Sequence, residues 1–178
     1  MNGSTSVVGG LIVGYAVNAS LALCNCTVMS GLNGTGFAGG VGYLNAASVA
    51  CANHTVNGPV NCTGCQSVGL FAGETLGASI QLTNATFSGT VKITSSSQGV
   101  SAVLGYVAAS TNETVLTIGS VVVNLAITGV MSGLVGTVPA SATLQVTASN
   151  VTYNYVALCI GSKVGTVTNV SWSSVGCT

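Results

Sequence analysis

A run of alternating residues that breaks phase at one fixed position recurs six times along this 178-residue chain. Its form is apolar-x-apolar-x-Asn-apolar-x-apolar. The first three copies are Leu21-x-Leu23-x-Asn25-Cys26-x-Val28, Val49-x-Cys51-x-Asn53-His54-x-Val56 and Ile80-x-Leu82-x-Asn84-Ala85-x-Phe87. In the fourth, Leu116-x-Ile118-x-Ser120-Val121-x-Val123, serine takes the asparagine place. Val146-x-Ala148-x-Asn150-Val151-x-Tyr153 and Gly165-x-Val167-x-Asn169-Val170-x-Trp172 complete the series. Period two marks a strand, because successive side chains point to opposite faces. A single break in phase means that the chain turns there while the same side stays inside. Asparagine suits such a corner, since its short side chain bonds local backbone and tolerates unusual dihedrals.

A glycine motif precedes each run: VGGLIVGY (8–15), FAGGVGY (37–43), VGLFAG (68–73), VSAVLGY (100–106), MSGLVGT (131–137) and the weaker VALCIG (156–161). The terminal glycines at 14, 42, 73, 105, 136 and 161 are spaced by 28, 31, 32, 31 and 25 residues. A repeat near 30 residues, with several short strands and no helical period, predicts one coil of a β-solenoid per repeat. The expected fold is therefore all-β, a parallel β-solenoid (β-helix) of about six irregular coils in a single domain, 1–178. Its repeats fall at approximately 5–34, 35–65, 66–95, 96–127, 128–154 and 155–178. Glycine is expected to supply tight corners where no Cβ fits. A β-sandwich is the alternative, since it too places a strand about every 8–12 residues, but it gives no reason for the phase break to recur. The β-branched residues and many glycines argue against helix.

Motifs ending in G-[LFV]-x-G-[YT] and followed by an Asn- and Thr-rich strand resemble GLUG-type repeats; GGLIVGY (9–15), GLFAGE (69–74) and SGLVGT (132–137) match best. The resemblance covers nearly the whole chain, although the fourth repeat has Ser101-Ala102 for the first glycine and the sixth is truncated. It implies a β-solenoid of large secreted and cell-surface proteins, a scaffold and a location rather than an activity.

Charge is almost absent. Only Glu74, Glu113, Lys92 and Lys163 carry it, 2% of the chain, where soluble domains carry about 25%. A hydrophobic content of 48% and a mean hydropathy of +0.73 exclude the low-hydrophobicity, high-charge composition of disorder. No apolar run reaches the roughly 18 residues of a membrane span. The start, MNGSTSVVGGL, lacks the basic segment and cleavage site of a signal peptide, and is read as a chain that has lost a leader or as an excerpt of a longer one.

Sugar is expected to replace charge. Ten Asn-x-Ser/Thr sequons occur, at Asn2, Asn18, Asn25, Asn33, Asn53, Asn61, Asn84, Asn112, Asn150 and Asn169, each an acceptor for a solubilising glycan in a chain that enters a glycosylation pathway. Five of them occupy the phase-break position, which predicts a column of glycans along one edge. The competing reading is that asparagine is there as a corner-former and the sequon is a by-product. Asn18, Asn33, Asn61 and Asn112 are expected in exposed loops. Seven cysteines, Cys24, Cys26, Cys51, Cys62, Cys65, Cys159 and Cys177, favour an oxidising compartment and structural disulfides. Cys62-Thr-Gly-Cys65 lacks the second ligand pair of a zinc site and the βαβ context of a redox motif. The odd count leaves one thiol over, and Cys26 and Cys177 are the candidates for an interchain disulfide.

Catalytic chemistry is not legible. Glu74 and Glu113 occupy different places in the repeat, which argues against a glycosidase pair. His54 falls where other repeats place Cys26, Ala85, Val121, Val151 and Val170, so it is expected to point inward, partly buried and hydrogen-bonded. No GxSxG or phosphate-binding loop occurs, and two lysines without arginine exclude a basic nucleic-acid surface. Tyr15, Tyr43 and Tyr106 recur after the repeat glycine; stacking for packing is favoured over a sugar-binding ladder. The sequence thus predicts a non-enzymatic, N-glycosylated extracellular or cell-surface structural protein without cofactor, metal or membrane span. Its partners are copies of itself, joined head to tail into a filament. A segment of a larger adhesin or coat protein is the alternative, and a carbohydrate-binding or carbohydrate-degrading solenoid is the weaker one.

Overall fold

The computed structural model describes residues 9–10, 12–29, 32–34, 37–38, 40–63, 66–94, 99–155, 158–163 and 165–178; Asn2 and Cys65 lie outside them. Among the described residues the chain is all-β, without helix, and every strand pairing is parallel. The strands form three sheets, and none closes into a barrel.

Each sheet takes its strands from successive repeats in chain order. One has six strands: Val13–Val17, Val41–Asn45, Ala72–Leu76, Leu104–Val107, Val135–Val138 and Ile160–Lys163. Tyr15 pairs with Tyr43, Tyr43 with Glu74, Glu74 with Tyr106, Tyr106 with Thr137 and Thr137 with Ser162. A ten-stranded sheet is centred on the 15-residue strands Ser79–Ile93 and Thr114–Thr128. Three shorter strands, Ser48–Ala52, Thr55–Asn57 and Val60–Cys62, pair in succession along Ser79–Ile93. A small sheet joins Gly9–Gly10, Phe37–Ala38, Val68–Gly69 and Val100–Ser101. All three sheets contribute to one buried apolar cluster, with Phe71, Phe87, Leu82, Leu104, Leu116 and Leu144 fully enclosed. Each such side chain contributes roughly 1.5–3 kcal/mol by leaving water.

The phase break is a left-handed corner. Asn25, Asn53, Asn84, Ser120 and Asn150 have φ of 55, 56, 53, 56 and 52°. Along Ser79–Ile93, Ile80 and Leu82 are buried before the corner and Ala85 and Phe87 after it, so one left-handed residue moves the buried set from even to odd positions. That conformation costs an ordinary L-residue roughly 1–2 kcal/mol, and asparagine visits it most readily after glycine. The sixth corner is a correction: it is Ser174, φ 54°, and not Asn169. The register shifts in the last strand pair, where Gln145 faces Thr168 but Thr147 faces Ser171. The bulge sets Asn169 and Val170 together against Val146 and moves the turn five residues on.

A second left-handed corner, absent from the sequence expectation, lies between the six-stranded and ten-stranded sheets at Asn18, Ala46 and Gly77, with φ of 48, 46 and 58°. Adding a Cβ to Gly77 would bring it 2.8 Å from Asn112 Cβ and Ser110 Oγ, because the segment 108–113 packs over this corner. The motif glycines serve another end. Gly105 pairs next to Gly73, and a Cβ there would meet Gly73 O at 2.7 Å and the Val68 backbone at 2.8 Å. At Gly105, close approach of the small sheet, rather than a corner dihedral, requires glycine.

Candidate functional site

The long corner forms the first candidate surface. Asn25, Asn53, Asn84 and Asn150 are exposed, and the backbone between them is tied from repeat to repeat: Asn25 N donates to Ala52 O and Asn53 N to Thr83 O, each at 3.0 Å. Asn53 Nδ2 donates to Asn25 Oδ1 at 2.9 Å, so at least one step of the column is a side-chain amide ladder. The hydroxyl partners of the sequons stack as well, Thr27 on Thr55 on Thr86. The next residue in that row is Val122, 47% exposed, followed by Thr152. The fourth repeat therefore lacks both halves of the sequon, Ser120 for asparagine and Val122 for threonine.

Two acceptors sit elsewhere than loops, whereas Asn18 is exposed in the connection between Val13–Val17 and Ser20–Cys24. Asn18 occupies the short corner. Asn33 and Asn61 lie on the strands Leu32–Gly34 and Val60–Cys62, paired with each other, and Lys92 follows Asn61 in the same row. The expectation of loops misses these because a short polar strand flanked by glycine and proline looks like a connection in sequence. Asn112 does lie in a connecting segment, over Gly77.

The six-stranded sheet carries the second candidate surface, the row Tyr15, Tyr43, Glu74, Tyr106. The Tyr15 and Tyr43 rings stack with centroids 4.7 Å apart and planes 9° from parallel. Their faces are therefore turned toward neighbouring repeats, and for Tyr43 one face is taken by Tyr15, which supports packing rather than a flat sugar platform. Burial raises the Glu74 carboxyl above the usual range. Burial, then Glu74, raises the Tyr106 phenol; burial, then Glu74 and Tyr15, raises that of Tyr43. Glu113 instead accepts a hydrogen bond from Thr168 Oγ1.

His54 is fully enclosed, with Phe71 at 5.2 Å and Phe87 at 6.2 Å in edge-on contact. It points inward as expected, but both ring nitrogens lack a hydrogen-bond partner among the described residues, which corrects the expected partly buried, hydrogen-bonded ring. Aromatic neighbours rather than polar ones meet it, and burial lowers its pKa to about 4. Cys159 and Cys177 form a disulfide with Cα atoms 5.0 Å apart. Cys177 is thus engaged within the chain, a correction to its candidacy for an interchain link: the last strand returns it to the start of its own repeat. Cys62 is also disulfide-bonded. Cys24, Cys26 and Cys51 lie in or beside the ten-stranded sheet. No group of three or more His, Cys, Asp or Glu able to hold a metal occurs among the described residues, and no helix is long and apolar enough to cross a membrane.

Two features escaped sequence reasoning. Asn154 uses its side chain as a strand would, accepting from Leu125 N at 2.9 Å and donating to Leu125 O at 3.0 Å. Serines 20, 48 and 79 stack in register beside the short corner, with Ser48 Oγ donating to Ser20 Oγ at 3.0 Å. The recurring NASL (18–21), AASV (46–49) and GASI (77–80) were the available signal. Comparison with known proteins returns no matching family model, no similar curated protein and no similar solved structure.

Proposed function

We propose that this protein is a structural, N-glycosylated component of an extracellular or cell-surface assembly. It is built as one parallel β-solenoid domain of about six coils and stacks end to end with copies of itself. The observation that carries this reading is the set of parallel rows that continue from repeat to repeat in one direction. Rows such as Tyr15–Tyr43–Glu74–Tyr106–Thr137–Ser162 supply the same backbone hydrogen-bonding pattern at every step. Among the described residues, Val13–Val17 and Ile160–Lys163 each pair on one side only, and Ile12, Tyr15 and Val17 at one end and Leu158 and Val170 at the other are exposed. Unpaired parallel edges with apolar side chains are templates for strand addition. Joining unlike ends gives a heterologous contact that does not close, hence a filament.

Near-zero charge leaves no electrostatic repulsion against stacking. Glycans on the outward asparagines would keep the sides soluble and direct association to the ends. The GLUG-type resemblance supports the same architecture and location. The unpaired edges also favour a second reading, in which further repeats of a longer adhesin or coat protein cover them. A carbohydrate-binding or carbohydrate-degrading role is weaker, since the tyrosine row is turned edge-on and no carboxylate pair is evident. Electron microscopy of the chain secreted from a glycosylating host tests the filament: long uniform fibrils support it, and isolated short rods over a wide concentration range refute it.

A further inference from the structure

The short corner opens onto a groove of about 390 Å³ that runs across four repeats. That volume lies within the range of about 300–1,000 Å³ typical of ligand sites. Asn18 stands at one end and Glu113 at the other, with the exposed Ala46, Ser48 and Ser79 between them. Adjacent strands lie about 4.8 Å apart, so the groove extends roughly 14 Å from the Asn18 repeat to the Glu113 repeat.

We propose that this groove seats the inner sugars of a glycan carried by Asn18. The proposal rests on the reading above that the chain is N-glycosylated. Asn18 is exposed and held in the left-handed corner, its N–H bonded to Asn45 O at 3.0 Å, which fixes the attachment point at the lip of the groove. The transfer forms one bond from Asn18 Nδ2 to a sugar C1. It breaks the C1–oxygen bond of a pyrophosphate-linked sugar donor and releases one proton from Nδ2. The exposed Ala46 methyl offers an apolar spot for the C–H face of a pyranose. Serine hydroxyls each provide a donor and two acceptor positions, and the Glu113 carboxylate accepts from sugar hydroxyls. Asparagine, alanine, serine and glycine line the groove in the first three repeats, and Glu113 and Val115 line it in the fourth.

Glycopeptide mass spectrometry first reads occupancy at Asn18; an unmodified Asn18 overturns the proposal together with the glycan reading at that position. With Asn18 occupied, NMR on alanine-methyl-labelled protein is expected to show contacts between sugar protons and the methyl of exposed Ala46. Endoglycosidase trimming at Asn18 is expected to be about tenfold slower than at Asn61, the factor given by 1.4 kcal/mol of packing. Ser48→Arg, a change at an exposed residue, should abolish that protection and leave Asn61 unaffected. An occupied Asn18 without methyl contacts, or with protection untouched by Ser48→Arg, overturns the groove seat while leaving glycosylation intact.

Discussion

Both corners turn through the same left-handed conformation, yet they are built from different residues. The long corner runs from Asn25 to Ser174 through all six repeats and holds asparagine or serine throughout. The short corner holds asparagine, alanine and glycine in turn, and longer connections, 108–113 and 139–142, replace it in the fourth and fifth repeats. The residue after the turn differs too. On the long corner it varies in size, from Cys26 through His54 to Val121 and Val151; on the short corner it is always alanine, at 19, 47 and 78. A wide wedge of core lies behind one corner and a narrow one behind the other. Where space behind the corner is wide, the repeat admits a bulky ring such as His54 among Phe71 and Phe87.

The largest expected effect tests that wide wedge through pH. Burial lowers the pKa of His54 from 6.5 to about 4, so the unfolded chain takes up the proton first as acid is added. The contribution is fully present above about pH 6.5 and falls as the pH drops toward 4, by about 3 kcal/mol at pH 4. Denaturant midpoints near neutral pH and near pH 4 should show this loss, and His54→Leu should remove that part of the acid sensitivity. An unchanged pH dependence in the variant would place the ring in contact with water. At the narrow corner, Gly77→Ala forces a Cβ against Asn112 and Ser110 at positive φ. It should cost about 2–3 kcal/mol and speed hydrogen exchange in the segment 108–113.

Smaller changes ask what the amide adds beyond the dihedral. Asn53→Ala gives the second repeat alanine at both corners and removes the bond to Asn25; thermal melts should report a loss of about 1–2 kcal/mol. Ala46→Gly relieves the strained dihedral without touching a ladder. It should stabilise by about 0.5–1 kcal/mol after the entropy cost of glycine. If both substitutions gave the same small change, the amide column would carry no weight of its own.

The contrast also explains what could be read from sequence. The long corner was legible because alternating strands flank it on both sides, so a shift from Ile80 and Leu82 to Ala85 and Phe87 reveals the turn. The short corner was not: three residue types occupy it, and each adjoins a five-residue strand that is glycine-bearing and too short to establish a phase. Asn169 was misplaced because Asn-Val-Ser imitates the motif, while the bulge that moves the turn to Ser174 depends on pairing with Gln145 and Thr147. Of the candidate surfaces, the asparagine column was visible in advance. The serine-lined groove needed the register between repeats, which no single segment encodes.

The central claim is that successive repeats lie one over another in parallel, with glycosylated asparagines on a shared outer corner. A density map of the glycosylated protein at side-chain resolution tests it most directly. The account predicts Asn25, Asn53 and Asn84 stacked about 4.8 Å apart, each at positive φ, with sugar density on outward amides of the column. Antiparallel neighbours at these positions, or a fully bare column in material from a glycosylating host, would contradict it.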